Sequence, residues 1–205
     1  MIDLYYWGTP NGQKIAIALE EMALDYQVFP INILENDQFQ PDFLKISPNN
    51  KIPAIVDQDG PDHQSISVFE SGAILQYLGR KTELFYPKNE QERVEVEQWL
   101  MWQMGGFGPM LGQNHHFSRF APERIAYATD RYVNETKRLY AVLDTQLIGQ
   151  NYVAGKYSIA DMAIFPWVCR YEWQQINLDD YPHVKAYMER IKGRPAVQKA
   201  LAITV

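Results

Sequence analysis

The 205 residues, 46% hydrophobic and 13% aromatic, suffice to bury one large core or two modest ones, which excludes a disordered chain. A formal net charge of −6, with no run of Lys and Arg, argues against nucleic acid, because a polyanion binder needs clustered cations to displace counterions; small molecules or proteins are the expected partners. No apolar stretch approaches the ~18 residues of a membrane span and the N-terminus lacks a signal peptide's basic and apolar regions, so no membrane and a cytoplasmic location are expected, while the single cysteine, Cys169, excludes an internal disulfide and a four-cysteine zinc site.

Any redox chemistry must therefore borrow its thiols. In chain order, "IDLYYW" (2–7) is the first strand signal, short and rich in aromatic residues. It turns through Thr9-Pro10-Asn11-Gly12 into a helix carrying Ile15, Leu19 and Met22 at helical spacing. "YQVFPINI" (26–33), "PAIV" (53–56) and "SISVF" (65–69) supply three more strands. Pro30 cannot donate to a ladder, which puts its strand at a sheet edge. "DQDGPDHQ" (57–64) is rich in turn formers and joins the last two strands as a hairpin. A helix follows Glu70-Ser71, with Ser71 as its N-cap and Ile74, Tyr77 and Leu78 on one face.

After "FYPKN" (85–89) helical periods take over. Val94, Leu100, Met101 and Met104 share one helix, and Ile125, Ala128, Tyr132, Leu139 and Leu143 mark a long one between Pro122 and Leu147. Ser158 and Asp161 have the spacing of a capping box ahead of an apolar run, and Pro182 and Pro195 read as first-turn prolines. "GGFGPMLG" (105–112) lacks the Lys-Ser/Thr of a phosphate loop and reads as a kinked helix. His115 and His116 are adjacent, diverge on a helix or strand, and suit packing or surface roles better than metal ligation, so no metal site is expected. The organisation is a small α/β domain over 1–86 and an all-helical domain over 89–205.

"TPNG" (9–12), "SPNNKIPAIVD" (47–57), "FESGAILQYL" (69–78) and "GPMLGQNHHF" (108–117), together with the capping box, resemble the cytosolic glutathione transferases over essentially the whole chain. The match is closer to the nu class, which includes bacterial glutathione-dependent disulfide-bond oxidoreductases, and to the related yeast nitrogen regulator. The resemblance implies a thioredoxin-like α/β N-terminal domain, an all-α C-terminal domain, and a homodimer that pairs the α/β domain of one subunit with the helices of another. It also implies a cis Ile52-Pro53 bond that leaves the Ile52 N–H and C=O to a peptide ligand, glutathione.

Site roles follow residue by residue. In proteins with this strand, turn and helix that carry their own redox centre, the turn holds a Cys pair; here it holds Thr9 and Asn11. Thr9 can simply cap the first helix, or, as the resemblance implies, Thr9 and Asn11 donate to the sulfur of bound glutathione. Glu70 and Ser71 would meet the amine and carboxylate of its γ-glutamyl end, Ser71 also serving the helix in either reading. Gln38 and Lys51 match positions that contact the glycyl end, and are otherwise solvated loop residues. Arg131 is a solvated helix residue, or reaches the partner subunit's glutathione. Cys169, apolar in context, is expected to be a buried bystander.

The function implied is a glutathione-dependent reductase of small disulfides that uses bound glutathione thiols and no catalytic cysteine. Alternatives are a transferase or peroxidase acting on electrophiles or hydroperoxides, and a non-enzymatic glutathione-binding regulator.

Overall fold

The computed structural model describes residues 1–205 and divides into two compact units, Met1–Tyr86 with Arg194–Val205, and Pro87–Gly193. The first unit contains β1 (Ile2–Tyr6), α1 (Pro10–Glu21), β2 (Tyr26–Pro30), α2 (Pro41–Ile46), β3 (Ala54–Asp57), β4 (Ile66–Phe69), α3 (Ser71–Thr82) and α9 (Pro195–Leu201). The second contains α4 (Glu90–Trp102), α5 (Gly108–His115), α6 (Ala126–Gln146), α7 (Ile159–Val168) and α8 (Pro182–Lys192).

The sheet order is β2-β1-β3-β4, with β1 parallel to β2 and antiparallel to β3, and β3 antiparallel to β4. Pro30 lies on an edge strand, where its missing N–H removes nothing from the ladder. Alternation along β1 buries Ile2, Leu4 and Tyr6 on one face. In α1 every residue from Lys14 to Leu19 is buried, so this helix is covered on more than one side. One cover is α3 and the other is α9.

The contiguous helical domain expected over 89–205 is thus corrected at its C-terminal end. Val197 and Ala200 of α9 are buried, Arg194 clamps Glu21 of α1 through two hydrogen bonds of 2.6 and 2.8 Å, and Lys199 reaches Glu20 at 2.8 Å. Apolar burial and a bidentate guanidinium–carboxylate pair hold the last helix to the first unit.

In the second unit α7 is apolar on all sides and wholly buried, as a central helix should be. Its capping box forms as expected: Asp161 accepts from the Ser158 amide at 2.9 Å with one carboxylate oxygen and from the Val153 amide at 2.9 Å with the other. Asp144 of α6 accepts from the His183 and Val184 amides at 2.9 and 3.0 Å and so caps α8, which lacks a capping side chain of its own. Pro182 and Pro195 both open helices. The glycine-rich stretch is a π-helical turn, Gln103–Phe107, running into α5. Val94, Leu100 and Met101 lie on α4 as expected, while Met104 falls in the π-helical turn that follows; Val94 and Met101 are 40% and 49% exposed, and Val96 and Leu100 form the buried face.

Candidate functional site

The strand register decides which loops meet. Ala54 opens β3 opposite Tyr5 of β1 on one side and Phe69 of β4 on the other. Because β1 and β4 run antiparallel to β3, the chain leaves β1 toward Thr9 and leaves β4 toward Glu70 at the same sheet end where Ile52 and Pro53 enter β3. β2 is parallel to β1 and ends at Pro30 beside Tyr6, so the segment carrying Gln38 departs from that end too. Thr9, Asn11, Gln38, Lys51, Ile52, Pro53, Glu70 and Ser71, scattered over sixty residues of sequence, share one end of the sheet.

At the first corner Thr9 is the N-cap of α1, its hydroxyl accepting from the Gly12 amide at 3.3 Å, with Pro10 in the first turn and Asn11 following. Gly12 is required by space: a Cβ there would stand 2.3 Å from the Trp7 carbonyl oxygen. At the middle of the end, the Ile52–Pro53 bond is cis and the β3 ladder starts one residue later, at Ala54. The Ser47 hydroxyl donates to the Lys51 carbonyl at 2.8 Å and holds the approach, leaving the Lys51 side chain exposed. The Gln38 amide group donates to the Ile33 carbonyl at 3.5 Å, while its own Oε1 is buried without a protein partner.

The β4–α3 corner is the most unusual. Glu70 has φ 69° and ψ 116°, outside the left-handed helical well, a backbone position that costs an L residue about 1–3 kcal/mol. Glu70 occupies the N-cap position and Ser71 is the first helical residue, which moves the expected cap by one. The reason is packing: Ser71 is 4% exposed and its Oγ accepts from Lys14 Nζ of α1 at 3.2 Å, so the hydroxyl turns toward α1. No side chain caps α3, and its N-terminal N–H groups face the same sheet end as the exposed Glu70 carboxylate, to which Asn49 donates at 3.4 Å. Lys14 is 1% exposed; burial pushes its ammonium down to about 7, the Glu70 carboxylate acting in the opposite sense.

Residues 2–80 match the family model of the glutathione S-transferase N-terminal domain and residues 106–195 that of the C-terminal domain. The chain belongs to the glutathione S-transferase family. Disulfide-bond oxidoreductase YfcG of Escherichia coli (strain K12) is 53% identical over 203 residues, spanning 98% of this chain and 94% of YfcG. Disulfide-bond oxidoreductase YghU of the same organism is 40% identical over 213 residues, spanning 97% of this chain and 73% of YghU. Among solved structures, a glutathione transferase from Pseudomonas putida with one glutathione disulfide bound per subunit superposes with a TM-score of 0.96 at 44% identity, covering 100% of this chain and 92% of that one.

Within this family member the end of the sheet offers hydroxyl and amide donors at one corner, a strand entrance beside a cis proline, and an exposed carboxylate next to an uncapped helix N-terminus. That donor set fits a zwitterionic peptide. It contains no thiol: Cys169 sits at the C-terminal end of α7 in the second unit, where burial pushes it up to about 12. Arg131 also lies in the second unit, exposed on α6, where it lines a groove of about 660 Å³ with Tyr127, Glu135 and Arg138. His115 packs against Trp167 and Trp173 at ring distances of 5.6 and 5.7 Å, a packing role.

Sequence reasoning passed over Lys14 and Asn49. A signal existed for Lys14: it adjoins "IAIAL", an unbroken apolar run on a helix that must be covered on more than one side. Asn49 carried none, because only the turn of the 47–52 segment brings it to Glu70.

Proposed function

We propose that this chain is a glutathione-dependent disulfide-bond reductase whose reacting sulfurs all come from glutathione and its substrate. The observation that carries the reading is a thioredoxin-like sheet end furnished for a peptide and devoid of cysteine, in a chain 53% identical to a protein named a disulfide-bond oxidoreductase. The thiolate of bound glutathione attacks one sulfur of a small disulfide, forming a mixed disulfide and releasing the first thiolate. A second glutathione thiolate then attacks the glutathione sulfur of that mixed disulfide, releasing the second thiolate and leaving glutathione disulfide. Two glutathione molecules are oxidised for each disulfide reduced, and the two protons go to the released thiolates.

Thr9 and Asn11 are assigned to the sulfur, Glu70 and Ser71 to the γ-glutamyl amine and carboxylate, the Ile52 backbone beside Pro53 to the cysteinyl residue, and Gln38 and Lys51 to the glycyl end. The buried, unpartnered Gln38 Oε1 supports its place in this set. A hydrogen bond to a charged group is worth about 1.5–3 kcal/mol, enough to lower a thiol from about 8.5 by roughly one to two units. At pH 7 a two-unit drop raises the thiolate fraction from about 3% to about 75%. Intrinsic nucleophilicity falls roughly eightfold in exchange, for a net gain near threefold. Holding the sulfurs in line contributes far more than this acidification. A site of this kind suits thiol–disulfide exchange, in which the stabilised thiolate is also the leaving group, better than attack on a weak electrophile.

A homodimer belongs to the same reading, with Arg131 reaching the glutathione held by the other subunit. The exposed Val94 and Met101, a heptad apart on α4, are apolar side chains that a second subunit would cover. Turnover of glutathione with a small disulfide and with a model aryl halide tests the function. Efficient disulfide reduction with weak aryl transfer is expected. Aryl transfer alone would make the chain a conjugating transferase, and binding without turnover a glutathione-binding regulator.

A further inference from the structure

We propose that Arg119, Arg170 and Trp173 form an anion-binding site on the helical unit, one that takes a small polyvalent oxyanion, carboxylate or phosphate. The site lies wholly within the second unit and shares no residue with the set assigned to glutathione.

Two stretches of the chain meet there. Arg119 belongs to the π-helical turn His116–Phe120 that extends α5, and Arg170 leads from the end of α7 into the single turn Tyr171–Gln174, which carries Trp173. The guanidinium carbons of Arg119 and Arg170 stand 4.5 and 5.1 Å from the centroid of the Trp173 ring, both within cation–π range. Stacking uses the flat face of a guanidinium and leaves its N–H edges to donate. Neither guanidinium makes an ion pair or hydrogen bond within the chain, whereas Arg93, Arg138 and Arg194 close on Glu90, Glu135 and Glu21. Glu123 and Asp130 border a cavity of about 350 Å³ on which Arg119 and Arg124 also open, yet neither carboxylate pairs with an arginine. Glu172, near Arg170 in sequence, takes the Tyr171 hydroxyl instead. Two cations gathered on one ring cannot be farther apart than about 10 Å, roughly one Debye length at about 0.1 M salt, so they repel each other. Beside them His115 is 8% exposed and meets Trp173 edge-on at 5.7 Å, with Nε2 buried and without a partner. A buried polar atom left unpaired is costly, and a ring N–H that meets a ligand oxygen relieves the cost. Burial first, then the charges of Arg170 and Arg119, push the imidazole down to about 4, and no carboxylate offsets them. The groups on offer are therefore donors: two guanidinium edges and a neutral ring that can carry its proton on Nε2. An oxyanion with more than one charge is their complement, because it neutralises both cations at once and meets guanidiniums that the indole already holds in place.

The test titrates wild-type protein with sodium citrate, with sodium phosphate and with sodium chloride at matched ionic strength, following the Nε–H resonances of Arg119 and Arg170 and the indole N–H of Trp173. Citrate or phosphate is expected to shift all three resonances saturably, and chloride is expected to leave them in place. The tighter of the two anions tells whether the ligand's charge is carboxylate or phosphate. Calorimetry is expected to show binding at least about tenfold weaker in Arg119→Gln and in Arg170→Gln, each of which loses a charge-assisted contact. Equal shifts from chloride would mean screening alone, and no saturable shift would mean cation–π packing alone; either overturns the proposal. Unchanged affinity in either variant would place the anion elsewhere and overturn it as well. Where a variant fails to fold, the wild-type resonances decide.

Discussion

Thr9 caps α1 with the same oxygen that the proposed function assigns to the glutathione sulfur, so the two contributions must be separated by the choice of variant. Its hydroxyl accepts the Gly12 amide at 3.3 Å, and Thr9→Ala is expected to cost about 1 kcal/mol of stability as a lost N-cap. The same change removes a donor to sulfur and should lower disulfide-reductase turnover by ~10-fold or more while glutathione affinity changes little. Thr9→Ser should restore both. Glu70→Ala should do the reverse, weakening binding more than turnover, and steady-state kinetics beside calorimetry distinguish the two. Cys169 is the other telling residue. With its thiol pushed up to about 12, it holds almost no thiolate at neutral pH, so Cys169→Ala is expected to retain most disulfide reduction. A mixed disulfide trapped on Cys169 during turnover would contradict that.

At the scale of elements, the second unit depends on helix ends closed by carboxylates, Asp161 buried and Asp144 half-buried. Asp161 satisfies the Ser158 and Val153 amides, and Asp161→Ala leaves both unpaired in a dry site, at about 1–3 kcal/mol for each. A large drop in the urea midpoint is expected, exceeding that of Ser158→Ala, which loses the 3.3 Å bond from the Ala160 amide and its hydroxyl's 3.2 Å bond to Asp161 but leaves the Ser158 and Val153 amides paired with Asp161. His115 gives the same helices a pH dependence. Burial, with Arg170 and Arg119 nearby, holds its imidazole down to about 4 from an ordinary 6.5. Protonation is thus easier in the unfolded chain, and the stability contributed by the neutral ring is complete above pH 6.5, declines as pH falls, and is lost below about 4. The slope of urea midpoint against pH between 6.5 and 4 should flatten in His115→Phe, which keeps a ring between Trp167 and Trp173 and cannot titrate. An unchanged slope would place the acid sensitivity elsewhere.

For the whole molecule the decisive quantity is mass in solution. A homodimer of 23.8 kDa chains should scatter light as a particle of about 48 kDa at micromolar concentration. Arg131→Ala, exposed on α6, is expected to leave that mass intact and to weaken glutathione binding, since its proposed target lies in the other subunit. A monomer would overturn both the assembly and the role in trans.

Local signals were sufficient wherever the cause lies within a few residues. The four strands, the edge position of Pro30, the capping box at Ser158 and Asp161, and the two first-turn prolines all depend on neighbours one to four positions away, which the sequence displays directly. Motifs spaced along the chain also pointed to the family and to most of the residues that meet at the sheet end. Other features depend on partners far away in sequence, and only the tertiary structure decided them. Lys14 is buried because α1 is covered from more than one side, and its partner Ser71 lies 57 residues on. Ser71 lost the cap position because that contact turns its hydroxyl inward, and Glu70 adopts a positive φ to let the chain pass from β4 into α3. The last helix left the helical half because Arg194 finds Glu21, 173 residues earlier, and no periodicity records a pairing at that distance.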